Sequence, residues 1–571
     1  MAMDADKKKK STDEHQDRDD LMKRISGMEL EYSSFEAHYK ELSEYLDPRR
    51  GRFFVEDRNK GDKRYKNIIN NAASRALRKA VAGMFAGVMS PSRPWFVWSL
   101  LNKDLLGPRE HKAWLELYRD VVLMVAAKSN LYNMAPLMIR ELLVFGTPFM
   151  THVNDFENVA RFYTHTVGSF MLATDKKHRV NTAVRKYQQT AYNLVAEYGY
   201  DSVSQSVQNN YDNGNYHSWH TVYHVLEPNP VYDPSSPFSE NLRFRSVYFE
   251  EKNKAKGKKE YSAYLKKSGY RVFPGYAPRW MTANEDVYAV ESPGMVTLAD
   301  VKSLQQSERD LMNSIAKAGN PPLQAPPSFR NQPIANLPGG VTSNSAMGGD
   351  QKIESLYKLD PRVQEQGWNI ERIERRINEG FFTDLFMAIT ENEGVQPKNE
   401  LYLSQVNEER LLQIGPGLQQ VHGEWLSLMV NRIGEQVLEA GIMPPAPRGL
   451  QGKELDIEFV SALAQAQKSV ATNAIERTVN FAGAMREMGF EGALDKIDGD
   501  HTLDNYADLV GAPAKMIVPT GDAEQMRELR AQQMQQQQQM EMAAQAANAM
   551  KMASDAKLGD DNVLSSAVGR K

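Results

Sequence analysis

TLADVKSLQQSERDLMNSIAKAG (Thr297–Gly319) and NIERIERRINEGFFTDLFMAI (Asn369–Ile389) decide how the chain is built, because each reads as a polar helix with one narrow apolar stripe. In the first, Leu298, Val301, Leu304, Leu311 and Ile315 recur at helical spacing, while Lys302, Gln305, Gln306, Glu308, Arg309 and Asp310 cover the remaining surface. Thr297 with Asp300 three residues on predicts the helix start, and Gly319, Pro321 and Pro322 its end. In the second, Ile370, Ile373, Ile377, Phe381 and Leu385 step by three or four among Glu371, Arg372, Glu374, Arg375, Arg376 and Glu379. Neither helix is apolar enough to be buried on every side. The stretch between them, Asn320–Tyr357, is far longer than the roughly 2 to 8 residues that usually join neighbouring helices. It reads either as a flexible surface loop or as a small irregular head carried on a two-helix stalk.

Composition sets the frame for this stalk. A chain of 571 residues has room for several domains with sizeable cores. Without cysteine it has no disulfide framework, no thiol nucleophile and no thiolate zinc site. A formal net charge of −4 argues against tight nucleic-acid binding by the whole molecule, so any DNA contact is local or weak. No stretch supplies the roughly 18 apolar residues of a membrane span. Even Ala72–Met89 is interrupted by Ser74, Arg75, Arg78 and Lys79, which points to a soluble protein of the cell interior with no membrane partner.

Upstream, Leu21, Ile25, Met28, Tyr32, Phe35, Tyr39, Leu42 and Leu46 form one helical stripe ended by Asp47-Pro48, and its aromatics favour packing on a domain body over a coiled-coil seam. A second helix, about 68–89, presents Ala72, Ala76, Ala80, Gly83 and Gly87 on one face for close approach of another backbone. It leads into Ser90-Pro91-Ser92-Arg93-Pro94-Trp95-Phe96-Val97-Trp98, an extended exit pinned by aromatics. Helical patterns fill Trp114–Phe145, strands are expected over 149–174 and 221–251 with a helix over 181–198 between them, and Asp212-Asn213-Gly214 marks a turn. A long helix follows over about 407–440, kinked at Gly415-Pro416-Gly417, and then come a strand at 454–460 and helices over 462–509 broken near Asp498-Gly499.

The run Ala73-Ser74-Arg75-Ala76-Leu77 through Gly83-Met84 to Ser90-Pro91-Ser92-Arg93-Pro94-Trp95-Phe96 closely resembles the portal, or head-to-tail connector, proteins of short-tailed, podovirus-type bacteriophages, and the likeness extends more weakly to about Asp522. The resemblance implies an α+β, predominantly helical portal-type fold. Its parts would be a disordered N-terminal segment at 1–20, a wing at 21–296, a first stem helix at 297–318, a clip at 319–360 and a second stem helix at 361–389. A tunnel loop at 390–404, a kinked tunnel helix with return to the wing at 405–460, a crown at 461–521 and a Gln/Met/Ala-rich mobile tail at 522–571 would complete it. It further implies a dodecameric ring of identical subunits at a unique capsid vertex of the virion, assembled in the host cytoplasm, with double-stranded DNA passing through its channel. The implied partners are a terminase packaging motor, tail adaptor or nozzle proteins, and major capsid and scaffold proteins.

Under this reading, Glu391, Asn392, Glu393, Lys398 and Glu400 form the loop that approaches DNA, Arg372, Arg375 and Arg376 are stem charges along the bore, and Pro327, Arg330 and Gln332 belong to the docking clip. The apolar stripes of the stem would seal neighbouring subunits. The alternative is a non-channel virion or scaffold protein that associates through long helices.

Motifs for chemistry do not accumulate. No Gly-rich loop ends in Lys-Ser or Lys-Thr, so a motor must be a separate protein, and no Gly-x-Ser-x-Gly elbow is present. His217, His220 and His224 are read as ordinary surface histidines rather than zinc ligands, since only His220 and His224 share a strand face. Asp495, Asp498, Asp500 and Asp504 lack the closing glutamate of a calcium loop and suit turn and capping roles. No catalytic residue, metal site or cofactor is assigned, and the chain is read as a non-enzyme.

Overall fold

The structure is a computed structural model that describes residues 2–53, 61, 64, 66–100, 109–236, 238–251, 263–283, 285–325, 353–355, 362–385, 415–460, 462–490, 497–510, 518 and 520–555. The architecture is α+β and predominantly helical, in two compact units. The larger comprises residues 1–98, 118–445 and 457–467, and the smaller 99–117, 446–456 and 468–571.

The larger unit opens with α1 (Ala2–Tyr45). Leu21, Ile25, Tyr32, Tyr39, Leu42 and Leu46 are buried, and Tyr32 and Phe35 pack on the Tyr288 ring while Tyr39 meets the edge of Phe145, so the stripe lies on a domain body as its aromatics predict. Residues 1–20, expected to be disordered, lie in this helix from Ala2 on. Its polar side is tied down, with Asp17 accepting from Tyr264 at 2.6 Å and pairing with Arg245 at 2.8 Å, and Glu14 pairing with Lys267 at 2.6 Å. Charged residues that look solvating in sequence are here partners for a sheet. Helix α2 (Ala72–Val88) buries Ala72, Ala76, Ala80 and Gly87 and packs against α4 (Leu131–Phe145), which follows α3 (Arg109–Lys128). Strand β1 (Phe96–Leu100) pairs with β12 (Leu455–Phe459), and Trp95 stacks on Phe459 with an interplanar angle of 4°.

Two antiparallel sheets build the body. The first orders β3 (Val159–His165), β2 (Phe149–Asp155) and β9 (Gly275–Tyr276). The second orders β4 (Phe170–Thr174), β5 (Val180–Thr190), β6 (Trp219–Pro228), β7 (Phe244–Glu250) and β8 (Lys266–Tyr270). The helix expected over 181–198 is corrected: residues 180–190 are a strand, registered Lys186 to Tyr223 and Gln188 to Thr221, and only α5 (Ala191–Tyr198) is helical. Thr190 marks the switch by accepting from the Asn193 amide at 3.4 Å. Helix α6 (Gln205–Asp212) then precedes the expected turn at Gly214, whose φ of 76° suits glycine.

The smaller unit holds most of α10 (Ala462–Glu487), all of α11 (Gly499–Val510) and α12 (Thr520–Asp555). The segment expected as a partly helical tail is a single helix from Thr520 to Asp555, and residues 524–552 are exposed. Arg527 pairs with Asp500, and Tyr506 donates to Glu476 at 2.7 Å. The Asp498 side chain accepts from the amides of Asp500 and His501, each at 3.1 Å, which is the capping role read for that cluster. Among the described residues no helix is long and apolar enough to cross a membrane.

Candidate channel-forming stem

Helix α7 (Pro293–Gly319) starts four residues before its predicted cap. Ser292 is the N-cap, accepting from the Met295 amide at 3.1 Å while its hydroxyl donates to the Val144 carbonyl at 2.9 Å. Pro293 fits the first turn because the amide it lacks would be unsatisfied there anyway. Thr297 therefore sits inside the helix, its hydroxyl donating back to the Pro293 carbonyl at 2.8 Å. Gly294 roots the helix in the body: a Cβ there would stand 2.7 Å from the Val144 carbonyl oxygen.

Helix α8 (Val363–Gly380) returns antiparallel to α7. The direction follows from two cross-links, Asp300 to Arg376 at 2.7 Å and Thr297 against Gly380, where an added Cβ would stand 2.2 Å from the Thr297 methyl. The stripe Ile370, Ile373, Ile377, Phe381 and Leu385 is buried in the single chain, as are Leu298, Val301 and Leu304 opposite it. This corrects the expectation that the stripes seal neighbouring subunits, because α7, α8 and α2 already cover them. Further along α7 the stripe emerges, with Met312 and Ile315 half exposed.

A latch that sequence spacing does not reveal holds this hairpin to the body. The Gln305 carbonyl oxygen accepts from the amides of Ile69 and Asn70 at 2.6 and 2.9 Å, and its amide donates to the Asn70 carbonyl at 2.9 Å. The Asn70 side chain then donates to Glu308 at 2.6 Å and Glu374 at 2.8 Å, so one amide bridges a carboxylate from each stem helix. Gln305 looks like one polar residue among many in sequence, and nothing but its burial marks it.

Beyond α7, β10 (Leu323–Gln324) and β11 (Glu354–Ser355) pair antiparallel and close the base of the long loop. Pro327, Arg330 and Gln332 lie outside the described residues, as do Glu391, Asn392, Glu393, Lys398 and Glu400. Of the stem charges, Arg376 is engaged by Asp300, Arg372 donates to Asn369 at 2.8 Å, and Arg375 is exposed without an ion pair among the described residues. The three arginines are thus not equivalent.

Gly415, Pro416 and Gly417 begin a described helical run at 415–421, in which Gly417 lies under Trp280, 3.0 Å from a virtual Cβ. An irregularity not read from the sequence follows at once, a π-helical turn at His422–Leu426 that includes Gly423, before α9 (Ser427–Glu439). It carries Glu424, which accepts from the Arg279 amide at 2.9 Å and pairs with the buried Arg279 guanidinium. Trp425 is fully buried, and His422 stacks on Phe459 at 4.2 Å with its ring pushed down to a pKa of about 4 by burial.

The histidine cluster dissolves. His224 is buried, accepts or donates to Ser246 at 3.0 Å and stacks on Tyr248 at 3.9 Å, whereas His220 faces Asn210 and Ser218. Among the described residues no three His, Asp or Glu side chains are arranged to hold a metal.

A family model and two curated relatives point to one family. A family model described as bacteriophage head to tail connecting protein matches residues 18–518. The chain is 38% identical over 523 residues to a probable portal protein of Bordetella phage BPP-1, covering 91% of this chain and 92% of that relative. It is 34% identical over 548 residues to the portal protein of Salmonella phage epsilon15, covering 96% and 97%. Among solved structures, the neck of an empty GTA particle and the virion of a native gene transfer agent particle align at TM-scores of 0.34 and 0.33, with 9% and 10% identity, each over 78% of this chain and 90% of the other.

Proposed function

We infer a function from one premise: the chain belongs to the family of bacteriophage head to tail connecting proteins. It is a portal protein, whose copies form a ring-shaped channel of the virion through which the genome passes. The observation that carries this reading is the span of the likeness, because relatives named portal or probable portal protein align over more than nine-tenths of the chain, and the family match at 18–518 takes in the stem. A scaffold without a channel is not favoured.

In detail, the ring is a dodecamer at one capsid vertex, assembled in the host cytoplasm, and the cargo is double-stranded DNA. Each copy contributes the α7/α8 hairpin as one stave. Its solvent faces mix signs, with Glu365, Glu371, Arg372, Arg375 and Glu379 exposed on α8. Interspersed charges leave a shallow electrostatic landscape for a sliding polyanion, whereas a continuous basic wall would hold phosphates in a salt-dependent grip. Residues 390–404 make the closest approach to DNA through Glu391, Asn392, Glu393, Lys398 and Glu400, and the bend at Gly415-Pro416-Gly417 aims that loop. The clip with Pro327, Arg330 and Gln332 docks the terminase motor and later the tail adaptors. The role is structural; energy for packaging comes from the separate motor.

Deletion of residues 326–352 tests the docking assignment, because it leaves the β10–β11 pair that closes the loop at its base, and the stem hairpin lies outside it. Rings should persist while motor co-sedimentation is lost. Loss of the rings, or retained motor binding, would remove the docking role from this segment.

A further inference from the structure

Resting on the portal reading, we propose that the solvent face of α8 bearing Trp368, Arg372, Arg375 and Glu379 is the contact with the next copy of this chain, seated on the solvent face of the neighbour's α7 around Asp310.

The four α8 positions step by four, three and four, which makes a single stripe on the side opposite Ile370, Ile373 and Ile377. Trp368 at the head of this stripe is 66% exposed. An indole left in water forfeits its burial free energy, and Trp and Arg, with Tyr, are the residues enriched among the hot spots of protein interfaces. A DNA duplex offers it little, because the bases that could stack on an indole are already stacked on one another. The occupant that fits is a second copy, for two reasons.

First, the heights agree. The Asp300–Arg376 pair and the Thr297–Gly380 contact fix the antiparallel register, which places Trp368 within about a turn of Asp310 along the hairpin. Rotation about a ring axis leaves height unchanged, so the neighbour's Asp310 comes level with Trp368 and close to Arg372. Second, the surfaces are complementary. The solvent face of α7 runs Val296, Ala299, Ser303, Gln306 and Asp310, with short side chains at Ala299 and Ser303 that leave room for the long arginines of the α8 stripe and an exposed carboxylate at the upper end, level with the indole. Among the described residues Asp310 is held by the Gln306 side-chain amide of its own helix at 3.0 Å. Of the arginines on the α8 stripe, Arg372 is the nearer to it in height, whereas Arg376 is held inside the protomer by Asp300. This moves Arg372 and Arg375 from the mixed-sign channel wall of the reading above into the joint between copies, and leaves Glu365 and Glu371 as the exposed α8 charges outside the joint.

The lack of native cysteine makes the test direct. A chain carrying both Trp368→Cys and Asp310→Cys, assembled and treated with a short bis-maleimide, should give a ladder of covalent multimers on a denaturing gel. The pair Arg372→Cys with Gln306→Cys serves if the first variant does not assemble. Rings that yield only monomer bands from both pairs would overturn the contact. Independently, Arg372→Glu should raise the concentration needed for half-assembly by about tenfold or more, and adding Asp310→Arg should restore it. Unchanged assembly together with altered DNA retention would instead turn this arginine toward the channel. If the unmodified chain forms no ring at all, the portal reading itself fails, and that outcome is separable from the others.

Discussion

At the scale of single residues, the interior is held by buried polar groups that are almost invisible in sequence. Glu141 is fully buried, accepting from Arg50 at 2.8 Å, Thr166 at 2.7 Å and the Val167 amide at 3.2 Å, with burial pushing its carboxyl up against the pull of Arg50. Histidines carry the opposite signature. His152, His165 and His224 are all held well below the usual range by burial, and His422 is pushed down to about 4. A base whose folded pKa lies below its unfolded value binds more protons unfolded, so stability is full above about pH 6.5 and falls as pH drops toward 4. For His422 alone the loss reaches up to about 3 kcal/mol. Urea midpoints at pH 7, 5.5 and 4.5 should therefore decline, and His422→Phe, which keeps the stack on Phe459, should make the decline shallower. An unchanged slope in the variant would show that this ring does not drive the acid response. Reading His217 as a surface residue holds, since it is exposed, but the same reading of His224 fails, because spacing reports which face a residue occupies, not what covers that face.

At the scale of elements, sequence was most legible where periodicity was long. Both stem stripes, the α1 stripe and the small-residue face of α2 appear where their spacing places them, because burial of an apolar face is the physical cause of the pattern. What failed were the switches. Val180–Thr190 mixes strand and helix formers, and its pairing with β6 decides the outcome. The start of α7 depends on Ser292 before Pro293, a local cap that outcompetes Thr297. The π-helical turn at His422–Leu426 contains Gly423, but a glycine weakens a helix without specifying a π turn. The closest joint of the stem makes the sharpest prediction. Gly380→Ala gains up to about 1 kcal/mol in helix propensity but drives a methyl into Thr297, so it should destabilise by about 1 to 3 kcal/mol net. Thr297→Ser, which removes the obstructing methyl, should recover most of that in denaturant titration. A neutral Gly380→Ala would mean that the two helices meet less closely at this point.

At the scale of the whole molecule, the fold class and the family were readable from sequence, since a twenty-residue string of helix, proline turn and aromatics carries the likeness. The division into units was not. Segments 99–117 and 446–456 join the C-terminal helices in the smaller unit, a grouping made by contacts distant in sequence that no composition shift marks. The larger lesson concerns the stem. Its apolar stripes close the protomer on itself, which leaves assembly to a second, mostly polar surface headed by Trp368. One measurement bears on all of this most directly: single-particle imaging of the purified full-length chain under assembly conditions. A portal predicts closed rings with an axial opening wide enough for duplex DNA and the α7/α8 hairpins arranged around it. Monomers or open filaments under every condition tried, or rings whose hairpins lie on the outer rim, would contradict it.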